Sequence, residues 1–325
     1  MAKPLRILSV DGGGARGVIP AMVLARIEQL TGKPVAELFD LMAGTSTGGI
    51  LVLGLATPGP AGAPKHSAAG MLSLYETQTG RIFHRSPGWK VRALGGLAEE
   101  KYRAEGIEGV LEEYFGETRL KDALADVLIT SYETERRIPF FFKSRAARLR
   151  PDYDFPMKSV ARATSAAPTY FEPLSLDAGS PLDYYSLIDG GIYANNPAMC
   201  AYVEAKTLHP NREDVLVVSL GTGERMHPLR YADVRGWGLA RWAQPILSVV
   251  LDAASTTADY QLRHLLRPGP DGSRRYWRFQ VKLTDCSDAM DDARPENLRS
   301  LRLLAESMIR QRADDLESLA AALVA

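Results

Sequence analysis

Cysteine is nearly absent: Cys200 and Cys286 are the only two in 325 residues. They allow at most one bridge, so no disulfide framework is implied and both are expected as buried free thiols. Net charge is absent too. Lys+Arg and Asp+Glu number 39 each, which leaves no overall field to gather nucleic acid or an anionic membrane, so any basic attraction must be local. No apolar run reaches the roughly 18 residues of a membrane span. Met1-Ala-Lys-Pro-Leu-Arg runs straight into a strand without a secretory leader, which predicts a cytoplasmic protein. There is no internal repeat and no low-complexity linker. The carboxylates form no recognisable metal cluster, so neither a metal nor another cofactor is expected. Histidine is scarce: His66, His84, His209 and His227 lie in Pro- or Gly-flanked loops and His264 lies on a helix beside Arg263, none in a motif that would fix its geometry.

What the chain does have is 46% hydrophobic content, enough for a large α/β domain with a well-buried core. Leu5 to Val10 reads as a strand, Asp11 to Gly17 as a Gly-rich loop, and Val18 to Leu30 as a helix. Phe39 to Ala43 reads as a second strand and Gly49 to Ala56 as a second buried helix. Two strand-to-helix turns so close together favour a parallel sheet with helices on both faces, both turns at the same sheet edge. Thr57 to Gly70 is expected as a surface loop, and His84 to Gly96, with Trp89, as an irregular lid or entry segment. Val127 to Ser131 and Ile138 to Lys143 read as a hairpin. Asp214 to Leu220 reads as a strand ending at Gly221-Thr-Gly223. Beyond it come a helix over Leu239 to Leu266, a strand over Tyr276 to Leu283 and one long amphipathic helix over Pro295 to Leu323. A single domain over 1–325 is the simplest organisation, its motifs within about 5–200 and an extension over 213–325 packed on it.

Ser46 is the most informative residue. It sits in Gly44-Thr-Ser-Thr-Gly48, between an apolar strand and an apolar helix, where a sharp turn exposes a serine hydroxyl at a helix N-terminus and Gly44 and Gly48 let strand and helix pass closely. The alternative is an ordinary Gly-rich turn. Asp11-Gly-Gly-Gly-Ala-Arg-Gly17 places glycine amides at a helix start, which suits an anion: a nucleotide phosphate, since the run also matches Gly-x-Gly-x-x-Gly, or the oxyanion of an attacked ester. A serine elbow beside the loop favours the oxyanion, with Gly12, Gly13 and Gly14 as donors and Arg16 either adding charge or capping the loop. A serine needs a base, and the best candidate is Asp189, at the end of an apolar strand and before Gly190-Gly191; the alternative is a turn aspartate. Tyr170 and Phe171 are candidates for an acyl pocket. Arg235-Gly-Trp237 and Arg241-Trp242 combine cations with indoles, the composition either of a membrane-interface patch or of a buried helix with snorkelling arginines.

Four runs carry a specific resemblance: Asp11-Gly-Gly-Gly-x-Arg-Gly17, Gly44-Thr-Ser-Thr-Gly48, Ala161-Arg-Ala-Thr-Ser-Ala-Ala-Pro-Thr-Tyr-Phe171 and Asp189-Gly-Gly-Ile-Tyr-Ala-Asn-Asn-Pro197. In order and kind they resemble the patatin-like phospholipase family, over about residues 5 to 260. The resemblance implies a three-layer α/β/α fold with a mainly parallel central sheet and a serine elbow. It also implies a metal-independent lipid acyl hydrolase of phospholipase A or lysophospholipase type, in which a Ser46–Asp189 dyad replaces a triad and Gly12 to Gly14, with Arg16, form the oxyanion loop. The expected partner is a phospholipid or other acyl lipid, with peripheral membrane contact open. Acyl transfer to an alcohol, and a phospholipase effector of antiphage defence switched by a cyclic nucleotide, are the alternatives.

Overall fold

The computed structural model describes residues 3–85, 100–180, 183–243, 245–269 and 272–325. Period-two alternation builds its centre. In β1 (Leu5–Val10), Leu5 and Ile7 point to one face of the sheet and Leu8 and Val10 to the other. In β7 (Val215–Leu220), Val215 and Val217 share the first face, and Leu216, Val218 and Leu220 the second. Strands buried on both faces need helices on both, which is the three-layer α/β/α arrangement expected. Helices Ala198–Leu208 and Pro245–Leu265 cover one face through Ala201, Ala205 and Leu262. The other face carries most of the core, under Val18–Thr31, Thr47–Ala56, Ala68–Ile82, Ala104–Phe115 and Met157–Thr164.

The sheet has eight strands in the order β5-β6-β3-β2-β1-β7-β8, with β4 paired to β3 off that path. Here β2 is Leu41–Gly44, β3 Asp126–Glu133, β4 Ile138–Lys143, β5 Leu174–Ser180, β6 Asp183–Asp189 and β8 Tyr276–Phe279. The run β3-β2-β1-β7-β8 is parallel, whereas β4, β5 and β6 are antiparallel to their neighbours. The C-terminal extension is therefore not merely packed on the motif-bearing part, because it supplies β7 and β8 to the same sheet.

One detail of the pairing positions the site. Strand β4 lies along β3 from Leu128 to Glu133, β2 pairs with β3 through Ile129, and β6 pairs with it from Ser131 to Glu133. A strand has two edges, so β2 and β6 must share the edge that β4 leaves. They run head-on along it, and their C-terminal ends, Gly44 and Asp189, meet.

Several boundaries differ from expectation, among them the strand expected over Tyr276 to Leu283, which ends at Phe279. The C-terminal helix is two helices, Pro295–Gln311 and Ala313–Val324. The break falls at Arg312, whose guanidinium bonds Asp315, and Asp314 and Asp315 sit in the first turn of the new helix, where the dipole favours them. Turning there lets Leu316, Leu319 and Leu323 join the core. The helix expected from Leu239 is a single turn, Leu239–Trp242, followed by Pro245–Leu265. The loop after Thr57 ends at Ser67, whose side chain caps the next helix by accepting from the Gly70 amide at 3.1 Å. Both cysteines are free and half-buried rather than buried. Most of His84 to Gly96, including Trp89, lies outside the described residues.

Candidate active site

The loops after β1, β2 and β7 converge at the carboxyl ends of adjacent parallel strands, where open α/β sheets form their crevices. Ser46 follows β2 with φ 54 and ψ −124, a conformation disfavoured for a side chain bearing a Cβ and stabilised here only by its surroundings. The turn is fixed by its glycines: a Cβ on Gly44 would collide with the Gly48 carbonyl, and one on Gly48 with the Val10 carbonyl. The Ser46 amide donates to Thr164 Oγ1 at 2.8 Å, so the helix Met157–Thr164 holds the elbow from the other side.

Asp189 is delivered to Ser46 by the shared edge of β3. Its carboxyl accepts from the Gly191 amide at 2.7 Å, and the nearby Ser46 side chain favours its charged form. Burial pushes its pKa up to about 7, against the lowering effect of those two contacts. Among the described residues no histidine bonds to either group: His66 faces the Tyr114 carbonyl, His227 pairs with Asp288 and His264 bonds the Tyr260 carbonyl. Also among the described residues, no cluster of three or more His, Cys, Asp or Glu could hold a metal.

The Gly-rich loop is clamped at alternate atoms. The Gly12 amide donates to the Asn195 carbonyl at 2.9 Å, so Gly12 is engaged rather than offered as a donor, which corrects its sequence assignment. Its place in the site is spatial instead: a Cβ there would strike Asn195 Oδ1 and crowd Ser46 Cβ at 3.3 Å. The Gly12 carbonyl accepts from Thr222 Oγ1 at 2.6 Å, and the Gly13 carbonyl from Arg16 Nε at 3.1 Å. In a planar trans peptide the N–H points opposite to the carbonyl, so holding these two carbonyls aims the Gly13 and Gly14 amides the other way. Neither amide has an acceptor among the described residues. Gly14 has φ +60, and a Cβ there would strike the Met290 carbonyl, which also accepts from the Ala15 amide at 2.8 Å. Arg16 thus holds the loop from within. Burial, with the nearby Arg225 charge, lowers its pKa to about 10, which leaves it charged at neutral pH.

At its root the loop is held by an ion pair that the sequence reading missed. The Asp11 carboxylate and the Arg278 guanidinium form two hydrogen bonds, 2.9 and 2.7 Å, and Arg278 also donates to Ser219 Oγ at 2.8 Å. Burial penalises the Arg278 charge, but Asp11 outweighs it and raises the pKa above the ordinary arginine value. Thr222 and the pair Ser255–Asn195, a side-chain bond of 2.9 Å, were also missed. A lone arginine in the otherwise apolar Tyr276-Trp-Arg-Phe279 was a signal for a buried partner. For Thr222 the signal was only its place at a strand end.

A mainly apolar pocket opens from Ser46. Ile50, Leu74, Ile82 and Ile107 from three helices line it, and Tyr170, Phe171 and Met290 complete its wall. Met290 is kept there by its neighbour Asp291, which accepts from the Tyr102 hydroxyl at 2.6 Å and pairs with Lys101.

The patch of Arg235, Trp237, Arg241 and Trp242 is not a buried helix. No side chain over residues 226–243 is buried, Trp237 and Trp242 are half-exposed, and their rings meet edge to face at 5.3 Å. No helix among the described residues is long and apolar enough to cross a membrane.

The family model described as Patatin-like phospholipase matches residues 8–202. Patatin-like protein 1 of Oryza sativa subsp. indica is 31% identical over 94% of this chain and 81% of its own length. Patatin-like protein 4 of Arabidopsis thaliana is 29% identical over 93% and 82% respectively. A Solanum tuberosum protein named "Probable inactive patatin-3-Kuras 1" is 30% identical over 96% of this chain and 88% of its own. Among solved structures, that of VipD from Legionella pneumophila covers 95% of this chain and 67% of its own at TM-score 0.38 and 12% identity.

Proposed function

Since the chain belongs to the patatin-like phospholipase family, we propose that it is a lipid acyl hydrolase working through Ser46 and Asp189. Membership alone does not carry activity, given a relative whose name marks it inactive, so the proposal rests on the site. The observation that carries it is the meeting of β2 and β6 along one edge of β3, which brings a buried carboxyl of pKa about 7 to the hydroxyl of a strained elbow serine. A carboxylate with an ordinary pKa is a poor base for a serine. Raised to near 7, it is about half ionised at neutral pH and better matched to proton transfer.

In this mechanism Asp189 takes the Ser46 proton as Ser46 Oγ attacks the acyl carbonyl. The alkoxide that develops on the carbonyl oxygen is held by the Gly13 and Gly14 amides, aimed by Thr222 and Arg16. Collapse expels the alcohol, which takes the proton from Asp189. Water, deprotonated by the same carboxylate, then releases the fatty acid and restores Ser46. No step calls on a metal or other cofactor. The apolar lining of the pocket suits an acyl chain.

The test is mass-spectrometric detection of fatty acid released from mixed phospholipid vesicles. Release by the wild type that is lost in both Ser46→Ala and Asp189→Asn, with the fold intact, supports the dyad. Release that survives Ser46→Ala contradicts it. The same assay with an added alcohol, or with cyclic dinucleotides, reads acyl transfer and nucleotide gating.

A further inference from the structure

Residues 226–243 form an arm that the core does not hold. Neither of its short helices, Tyr231–Val234 and Leu239–Trp242, buries a residue. Leu239 is 90% and Tyr231 79% exposed, with Met226 and Leu229 also open to solvent. The arm's helical turns bond within it, from Asp233 N to Arg230 O through to Ala243 N to Leu239 O. Among the described residues its one side-chain tie to the body is His227 to Asp288. Such a concentration of exposed apolar side chains is costly in water unless something covers it.

The two roots of the arm fix where it stands. It leaves the body just after Thr222, which bonds the oxyanion loop, and Arg225, which acts electrostatically on Tyr170 in the cavity wall. It returns through the helix Pro245–Leu265, where Leu251 packs beside Gly191 and Ser255 bonds Asn195. The arm therefore rises at the end of the sheet that carries Ser46.

We propose that this arm is a docking surface for an anionic lipid bilayer. The apolar side chains Leu229, Tyr231, Trp237, Leu239 and Trp242 alternate with exposed cations, Arg230, Arg235 and Arg241, against a single carboxylate, Asp233. Indole and phenol rings favour the headgroup boundary, arginines beside them meet lipid phosphates, and leucines enter the acyl region. A second copy is a poor occupant, because symmetric pairing would set the same three arginines against one another. The choice of occupant rests on the lipid-hydrolase reading. Vesicle binding is therefore measured apart from cleavage.

The experiment is co-sedimentation with phosphatidylcholine vesicles with and without phosphatidylglycerol, beside hydrolysis of a soluble short-chain ester. The wild type is expected to sediment with the anionic vesicles. Tyr231→Asp combined with Leu239→Asp should lower that binding at least about tenfold. Replacing Arg230, Arg235 and Arg241 with Gln should cost about fivefold per arginine on anionic vesicles and little on neutral ones. Both variants should cleave the soluble ester as the wild type does, since the changed side chains are exposed. Wild-type-like vesicle binding by the variants would overturn the inference. So would a dimer of the wild type that the substitutions dissociate, or an equal loss of soluble-ester cleavage. A wild type that binds vesicles but cleaves no lipid would leave the arm in place and remove the hydrolase reading.

Discussion

Two kinds of segment stand at the end of the sheet that carries Ser46 and are built by opposite rules. In Asp11–Gly17 and Thr45–Ala56 almost every residue is buried, and several glycines abut atoms a methyl group would strike. In 226–243 nothing is buried at all. In the proposed mechanism the first pair of segments holds a hydroxyl and two amides in one arrangement facing Asp189, and close packing is what removes the alternatives. The second has no internal geometry to protect, so its side chains are free to answer to whatever lies outside. Substitution should accordingly be severe and local to catalysis in the packed segments, and mild and specific to surfaces in the arm.

The sharpest way to break that contrast is at the dyad. Ser46→Ala should lower kcat by at least about 10^4-fold, and Asp189→Asn by about 10^4-fold, with the circular dichroism unchanged. Asp189 also predicts a pH signature. Its folded pKa, about 7, lies above its ordinary value, so the ionised base is populated only above that pH and kcat/KM should fall about tenfold per unit below it. The sign for stability is opposite. Between about pH 4 and 7 the folded state holds a proton that the unfolded state has lost, so stability falls as pH rises through that window, by up to about 4 kcal/mol. Asp189→Asn should remove that fall, which urea unfolding at pH 5 and pH 8 would read.

Next in size is Gly14→Ala, which adds a side chain at φ +60 against the Met290 carbonyl. A loss in kcat of about 10^2-fold or more is expected from the displaced amide. Arg278→Met tests the root of the loop: it leaves Asp11 buried and unpaired, and should cost about 3–5 kcal/mol in urea unfolding. Asp11→Asn added to Arg278→Met should recover part of it. Smallest is Thr222→Val, which frees the Gly12 carbonyl; a drop of about tenfold in kcat with KM little changed, recovered by Thr222→Ser, would mark Thr222 as a positioning residue.

The sequence was most legible where one residue type had one physical use. A serine flanked by glycines, between an apolar strand and an apolar helix, is suited above all to holding a nucleophile at a sharp turn. The apolar runs of β1 and β7 marked both as strands, and only the fold showed which side chains take which face. Legibility ended where a contact depended on distant chain. Arg278 and Asp11 are separated by most of the sequence, and nothing local to either names the other. Gly12 looked like its neighbours Gly13 and Gly14, yet its amide is engaged by Asn195, a partner that only the fold supplies. The composition around Trp237 and Arg241 suits either an interface patch or a buried helix, and only the fold shows that nothing there is buried. The break at Arg312 was missed because apolar periodicity continues across it, although Asp314 and Asp315 were visible as acids suited to a helix start.

The central claim, that Asp189 activates Ser46, is most directly tested by labelling with a fluorophosphonate and locating the adduct by peptide mass spectrometry across pH. The account predicts a single adduct on Ser46, forming at a rate that rises through about pH 7 and is abolished in Asp189→Asn. An adduct on another residue, or undiminished labelling of Ser46 in Asp189→Asn, would contradict it.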